Sequence, residues 1–497
     1  MNQLEHKGII IPKYDYKGYS IKIKGKDKKL NPIQEEMAVA WVKKLGTPYV
    51  QDPVFVENFF KDFIEKLGEG SNLGREDFDF SEIQREVDIE KSRKLNMSKE
   101  EKKAAAAERK KKREENKEKY GFATLDNTRV ELGNYVAEPS CIFMGRGKHP
   151  LRGRWKQGPS QGDITLNLSK DAPTPEGTWK EITWQSNDMW IAKWEDKLSR
   201  KVKYIWLADT VSVKQERERK KFDLARKLET RFDKLNMHIQ KGLVSRDIMK
   251  RKVATVCYLI NELKIRVGDE KDKDEADTVG ATTLRPEHVT IIDNTHVKFD
   301  FLGKDSVQWV KDVELDQNAV SNLREFIASA RSPIFEGVRS GNVKRFLSEV
   351  LPGLTAKVFR TFYGSRIVRT YLNAAPVNKE DDTLKKKYEA TMANLHAAET
   401  LNHKKQLPKN WDERIAKKND ALKTLRANED AKSKKRATAL KMRIDIMTAT
   451  CNYNLRTSLK SYIDPRVYYD WGKKVDYDWK LYYPTALQRK FSWVEKS

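Results

Sequence analysis

Near the end of a 497-residue chain, the stretch TSLKSYIDPR (457–466) sets one tyrosine, Tyr462, between Ser461 and Ile463, with a proline and an arginine close behind. A phenol can attack an electrophile, share a hydrogen bond or simply fill a core, and the last is its commonest use. Four cations stand in otherwise amphipathic segments: Arg266 in LKIRVGDE, Lys304 on a predicted hairpin tip, Arg360 in LTAKVFRTFYGS and His403 in ETLNHKK. Taken singly, each reads as a surface charge. Other chemistries find less support. GEGSNLG (68–74) follows a helical pattern instead of a strand, and GxxxxGK[ST] does not occur, so no ATP site is expected. The acidic run DEKDKDEAD (269–277) offers oxygen ligands for Mg²⁺, but its interleaved lysines make it a solvated loop. Seven histidines give no HExxH, and no metal centre is expected. Cys141, Cys257 and Cys451 lie far apart without CxxC spacing, which points to a reducing compartment.

The elements that must hold these residues belong to a very basic chain. Lys and Arg number 98 against 73 Asp and Glu, a net charge of +25. Such a surplus concentrates polyanions, and duplex DNA is the densest common one, at one charge per about 1.7 Å of axis. No run of about 18 uncharged apolar residues occurs and the N-terminus MNQLEHKG lacks a signal-peptide pattern, so neither a membrane partner nor secretion is expected. The first third predicts short strands (8–12 and 19–25) and amphipathic helices (EEMAVAWVKKLG, ENFFKDFIEKLG). Ser98 and Glu101 form a capping-box pattern that opens a long charged helix with almost no apolar stripe. Residues 140–212 predict strands and turns. Helical spacing returns near 216, and 289–310 reads as two alternating runs joined at Leu302-Gly303-Lys304-Asp305, a hairpin. Segment 404–443 predicts an exposed basic helix pair with Trp411, Ile415, Leu422 and Leu425 on a narrow seam. The end, from about 451, is compact and aromatic.

Five segments in order, KIRVGDEKDKDEADTVGATTLRPEHV, FDFLGKDS, GLTAKVFRT, LNHKK and SYIDPR, resemble the eukaryotic type IB DNA topoisomerases, and LEHKG, MSKEEK, EKYGF, GRGKHP and SKDAPTPEGTWKE extend the likeness towards the N-terminus. The resemblance implies a multidomain α+β chain. Residues 1–212 would be a mixed α/β cap clamping DNA, 213–406 a mainly helical catalytic domain of the tyrosine-recombinase and type IB topoisomerase type, 407–450 a basic coiled-coil linker, and 451–497 a small helical C-terminal domain. It implies relaxation of supercoiled duplex DNA by transient single-strand cleavage through a 3′-phosphotyrosine, rotation and religation. No cofactor would be required, neither ATP nor a divalent metal. Tyr462 would be the nucleophile, Arg266, Arg360 and His403 would hold the non-bridging phosphate oxygens, and Lys304 would protonate the departing 5′-oxygen. Arg146, His149, Lys357, Asp305 and Ser461 would contact DNA. The partner implied is duplex DNA, preferentially supercoiled, bound by a monomer in the nucleus. No basic N-terminal extension precedes the matched region, so a viral source or a shortened chain stands beside the cellular nuclear enzyme as an expectation.

Elementary chemistry agrees with that set. A phenol of pKa about 10 attacks poorly at neutral pH, and the phosphorane-like transition state gathers negative charge, so cations must surround it. Arginine grips phosphate through a planar fork, and histidine and lysine supply a donor and an acid. Exchanging one phosphodiester for another retains the bond energy, so no nucleotide is needed. Three positions depart from the family pattern: the lysine before the nucleophile is shifted by one, to Lys460; Ser461 stands in place of asparagine; and Met144 replaces a common arginine. Two alternatives are weighed. A tyrosine recombinase would use the same residue types but usually carries His-x-x-Arg where Lys357-Val-Phe-Arg360 stands, and an inactive DNA clamp would bind duplex without relaxing it.

Overall fold

The computed structural model describes residues 1–69, 73–145, 147–268, 278–303, 307–329, 332–408, 410–428 and 430–496. The chain is mixed α/β, and the described residues fall into two compact units, Met1–Val211 and Ser212 onward.

The first unit begins with β1 (Leu4–His6), β2 (Ser20–Ile23), β3 (Lys26–Lys29), α1 (Pro32–Val42) and α2 (Pro53–Leu67). Asp52 caps the start of α2 with Pro53 behind it, and Gly68 ends the helix in the left-handed region. Between them Phe55, Phe59, Phe60 and Phe63 recur on one face and pack on Trp41 of α1. Then come β4 (Phe78–Asp79), α3 (Ser81–Asn96) and α4 (Lys99–Tyr120). In α4 the Ser98–Glu101 capping box forms, and no residue is buried, as the missing apolar stripe requires. The unit closes with β5 (Phe122–Leu125), β6 (Thr128–Glu131), β7 (Cys141–Ile142), β8 (Trp155–Lys156), β9 (Ile164–Asn167), β10 (Glu181–Thr183), β11 (Trp190–Glu195) and β12 (Val202–Trp206). Its largest sheet runs β10-β9-β11-β12, with β10 and β9 parallel. The strand expected at 8–12 does not form. Gly8 turns there with φ 79 and Pro12 lacks a donor, so only a single bridge, Ile10 to Val136, survives.

The second unit holds α5 (Ser212–Glu229), α6 (Phe232–Leu243), α7 (Ile248–Leu263), the antiparallel sheet β13 (Val289–Ile291), β14 (His296–Gly303) and β15 (Val307–Glu314), then α8 (Gln317–Ser329), α9 (Ser340–Ser348), α10 (Ala356–Ala374) and α11 (Thr383–Thr400). The expected hairpin is β14 with β15, in register from His296 opposite Glu314 to Gly303 opposite Val307; residues 289–291, predicted within its first arm, make a separate strand. α7 is buried on nearly every side from Val253 to Leu263 and forms the spine of the main core.

After α11 come α12 (Trp411–Ala427), α13 (Ala431–Ala449), α14 (Leu455–Ser461), α15 (Pro465–Val475) and α16 (Thr485–Lys490). α12 and α13 make an antiparallel pair whose seam is Leu422, Ala437 and Ile444, flanked by Ile415, Leu425 and Leu440; Trp411, expected on the seam, is not part of it. α14 to α16 bury Tyr468, Trp471, Trp479, Tyr483 and Phe491 in a separate aromatic core. No helix among the described residues is long and apolar enough to cross a membrane.

Candidate active site

Four segments of the second unit converge on one cleft, and each is held by a local device. α7 ends at Lys264 in the left-handed region (φ 56), which turns Ile265 and Arg266 out of the helix. The turned segment is then tied to the 280–282 turn: Ala281 N–H donates to Arg266 O at 2.9 Å and Thr282 N–H to Val267 O at 2.7 Å. Gly268 and Gly280 face each other so closely that a β-carbon on either would meet the other's backbone at 2.5–2.9 Å.

Arg360 lies within α10, 4% exposed. One Nη2 hydrogen goes to Leu401 O at 2.7 Å, while Nε and Nη1 are buried with no hydrogen-bond partner among the described residues. Buried donors are nearly always satisfied, so two idle N–H groups on a cation mark a place for an anion. Burial pushes the guanidinium down to about 10; Tyr462 opposes that and the Arg266 charge adds to it, and the group stays cationic at neutral pH.

His403 follows α11 through Asn402, whose φ of 53 reverses the chain. Its Nε2 lies 3.4 Å from Arg360 Nη2 and its Nδ1 2.9 Å from the Ser458 hydroxyl. Arginine only donates, so Nε2 accepts and Nδ1–H donates to Ser458. Burial, reinforced by the Arg360 and Arg266 charges, lowers His403 to about 3, so the imidazole is neutral at physiological pH. Asn454 N–H donates to His403 O and Lys405 N–H to Asn452 O, both at 2.7 Å, and these bonds close the base of the α12–α13 pair directly beside the site.

Tyr462 caps α14, 5% exposed. Its ring centre lies 4.8 Å from the Arg360 guanidinium carbon and 5.1 Å from the His403 ring. Gly364, one turn past Arg360, admits its backbone, since a β-carbon there would stand 2.7 Å from Tyr462 O. Ser365 Oγ donates to the same carbonyl at 3.4 Å and accepts from Asp464 N–H at 2.9 Å. Asp464 caps α15 ahead of Pro465 and receives Arg226 and Arg466. The sequence DPR is therefore a helix start and an ion-pair anchor that fixes the chain just after the tyrosine. Just before it, Lys221 of α5 donates to Ser461 O at 3.0 Å.

Arg266, Arg360 and His403 line the cleft together, and Tyr462 packs behind Arg360 and His403. Lys357 is exposed on the first turn of α10, and Ser461 is half-buried at the end of α14. His149 belongs to the first unit, where its ring stands edge-on to Phe143 and Nδ1 accepts from Leu151 N–H. Lys304, Asp305, Arg146 and the acidic run 269–277 lie outside the described residues. The shifted lysine has a packing explanation: Leu459 is buried against the C-terminal aromatic core, while Lys460 points outward. Met144 packs, half-buried, against the phenylalanine core of the first unit. Sequence reasoning missed Gly364, Ser365, Ser458, Gly268 and Gly280. The glycines in TVGATT and TFYGS were visible, but their close approaches are tertiary.

Three family models tile the chain: one described as eukaryotic DNA topoisomerase I, DNA binding fragment, matches residues 1–207; the catalytic core matches 210–437; and a C-terminal topoisomerase domain matches 434–497. DNA topoisomerase 1 beta of Arabidopsis thaliana is 33% identical over 99% of this chain, and DNA topoisomerase 1 of Candidozyma auris 35% over 85%. Human DNA topoisomerase 1 is 30% identical over 99%. The chain spans 58% of the length of the Arabidopsis and Candidozyma relatives and 70% of the human one.

Proposed function

The chain belongs to the eukaryotic DNA topoisomerase I family, and from that premise we propose that it relaxes supercoiled duplex DNA as a type IB enzyme, by transient cleavage of one strand. The observation that carries this reading is Arg360: a buried cation with two idle N–H groups, set between a neutral histidine and the face of a tyrosine.

In this reading a backbone phosphate enters the cleft and takes the idle hydrogens of Arg360, with Arg266 on a second oxygen. His403 donates from Nε2 once the phosphate replaces it as the partner of Arg360. That requires the proton on Nε2, and the Ser458 hydroxyl can reverse its bond and donate to Nδ1. The Tyr462 oxygen attacks phosphorus and gives up its proton to water, the bond to the 5′-oxygen breaks, and that oxygen takes a proton, a role the family resemblance gives to Lys304. The strand is then joined through its 3′-phosphate to Tyr462. Religation is the reverse, with the 5′-hydroxyl as nucleophile. The cations lower the barrier by meeting charge that develops on phosphorus oxygens in a site already desolvated.

The phenol rests against Arg360, shielded from solvent behind the residues that would hold the phosphate. The same reading takes residues 1–212 as the clamp over duplex, 213–406 as the catalytic domain, 407–450 as the linker and 451–497 as the domain that delivers the tyrosine.

The test is relaxation of supercoiled plasmid in EDTA without nucleotide. Wild-type protein is expected to relax it and Tyr462→Phe to bind without relaxing. Binding without relaxation by both proteins would favour an inactive clamp, and strand exchange confined to paired sites would favour a recombinase.

A further inference from the structure

Two lysines that the reaction above leaves unused line the same cleft as Arg266, Arg360 and His403: Lys264 and Lys404. A third, Lys311, is close enough for its charge to act on Lys264 and to feel Lys404. Their placement is built into the fold. Lys264 is the left-handed cap of α7, and its ammonium stands 4.1 Å from the Tyr363 ring centre. Lys311 lies on the same face of β15 as Val307 and Trp309, which line the cleft, with its ammonium 5.4 Å over the Trp309 ring. Lys404 follows His403 and is fixed by a bridge to Tyr453.

Among the described residues none of the three makes a salt bridge. Lys264 Nζ donates to the backbone carbonyl of Glu262 at 3.2 Å, and the charged groups facing it are the Glu262 carboxylate and two further cations, Lys311 and Arg366. Burial and mutual repulsion both lower Lys264 and Lys311 from the usual lysine range. An aromatic face offsets only about 0.5–2 kcal/mol of such a cost. Two half-buried ammonium groups, Lys264 and Lys311, with the exposed Lys404 beside them and one carboxylate among them, are therefore an arrangement that an incoming anion stabilises.

We propose that Lys264, Lys311 and Lys404 form a second phosphate subsite, which grips a backbone phosphate next to the one held by Arg360 and Arg266 on the same strand. The proposal rests on the nucleic-acid reading of the cleft. A strand that enters it presents a phosphate every 3.4 Å or so of axis, so a neighbour arrives with the first. Lysines suit this task because a point charge on a flexible stem tolerates a phosphate whose orientation varies with sequence, whereas the reacting phosphate needs the arginine fork. The subsite would hold the strand in register without touching the reacting atoms.

The experiment is duplex binding as a function of salt, in the Tyr462→Phe protein to exclude cleavage. Each phosphate contact contributes about 0.9 to the slope of log K against log salt. Replacing the three lysines by glutamine is expected to flatten the slope by about 1 and to weaken binding roughly tenfold at 0.1 M salt. Arginine at all three positions is expected to restore the slope, which separates charge from damage to the fold. An unchanged slope in the glutamine protein would overturn the proposal. So would a glutamine protein that loses affinity for inorganic phosphate while its duplex slope stays the same, because the lysines would then serve a free anion. Absence of duplex binding by Tyr462→Phe itself would instead overturn the nucleic-acid reading.

Discussion

The Nδ1 of His403 and the hydroxyl of Ser458 stand 2.9 Å apart, the serine fully buried and only four residues before Tyr462. The helix that carries the tyrosine therefore also holds the histidine. A serine hydroxyl accepts or donates with equal ease, so it can follow the imidazole from the resting tautomer, in which Nε2 faces Arg360, to the one that donates to phosphate.

Ser458→Ala leaves Nδ1 without its partner and is expected to slow single-turnover cleavage about ten- to a hundredfold, the cost of one buried unsatisfied group. Ser458→Thr keeps the hydroxyl and is expected to recover most of the rate. Equal rates for the alanine and wild-type proteins, or equal losses for alanine and threonine, would contradict the role.

Arg360→Lys keeps the charge and loses the fork. Its two idle N–H groups are the observation the reaction scheme starts from, so cleavage is expected to fall roughly 10²- to 10³-fold, as for loss of one oxyanion donor. A fall below about tenfold in rapid-quench measurements would mean that charge alone suffices.

His403 is held near 3 in the folded chain, below the value of about 6.5 for an exposed imidazole. Between those values the unfolded chain binds more protons, so stability is full above pH 6.5 and declines as the pH falls towards 3. At pH 5 this one group accounts for about 2 kcal/mol of lost stability relative to pH 7.5. In urea unfolding at the two pH values, His403→Asn is expected to narrow the difference by about that amount. The same difference in both proteins would refute the assignment.

The α12–α13 pair leaves the domain between Lys405 and Asn452 and is pinched at its base by two backbone bonds. Replacing residues 409–449 by a short glycine-serine turn is expected to preserve cooperative melting and plasmid relaxation, and to lower the salt concentration at which relaxation stops, since affinity falls when a basic arm is lost. Loss of cooperative melting would contradict an independent hairpin.

Local signals carried a good part of this architecture. The cap at Ser98, the alternation along β14 and β15 and the basic helix pair are all properties of a few neighbouring residues, and they form where the sequence puts them; the caps at Asp52 and Asp464 are equally local but were found only in the structure. Ile9 to Pro12 misled, because β-propensity there is overridden by Gly8, Pro12 and the lack of a partner strand. At the site, the residue types at 266, 360, 403 and 462 were legible from ordered motifs. Gly364, Ser365 and Ser458 were not, because each acts on a residue 55 to 98 positions away, and nothing local distinguishes a serine that holds a histidine from one that faces water.

The central claim is that a phenol, surrounded by fixed cations, exchanges places with a strand's 5′-oxygen without nucleotide or metal. It is tested most directly by trapping the intermediate: wild-type protein is mixed with nicked duplex in EDTA, quenched with denaturant and digested for mass spectrometry. The account predicts DNA joined through its 3′-phosphate to Tyr462 and no adduct in Tyr462→Phe. An adduct on another residue, a 5′ linkage, or no adduct in a wild-type protein that nonetheless relaxes plasmid would contradict it.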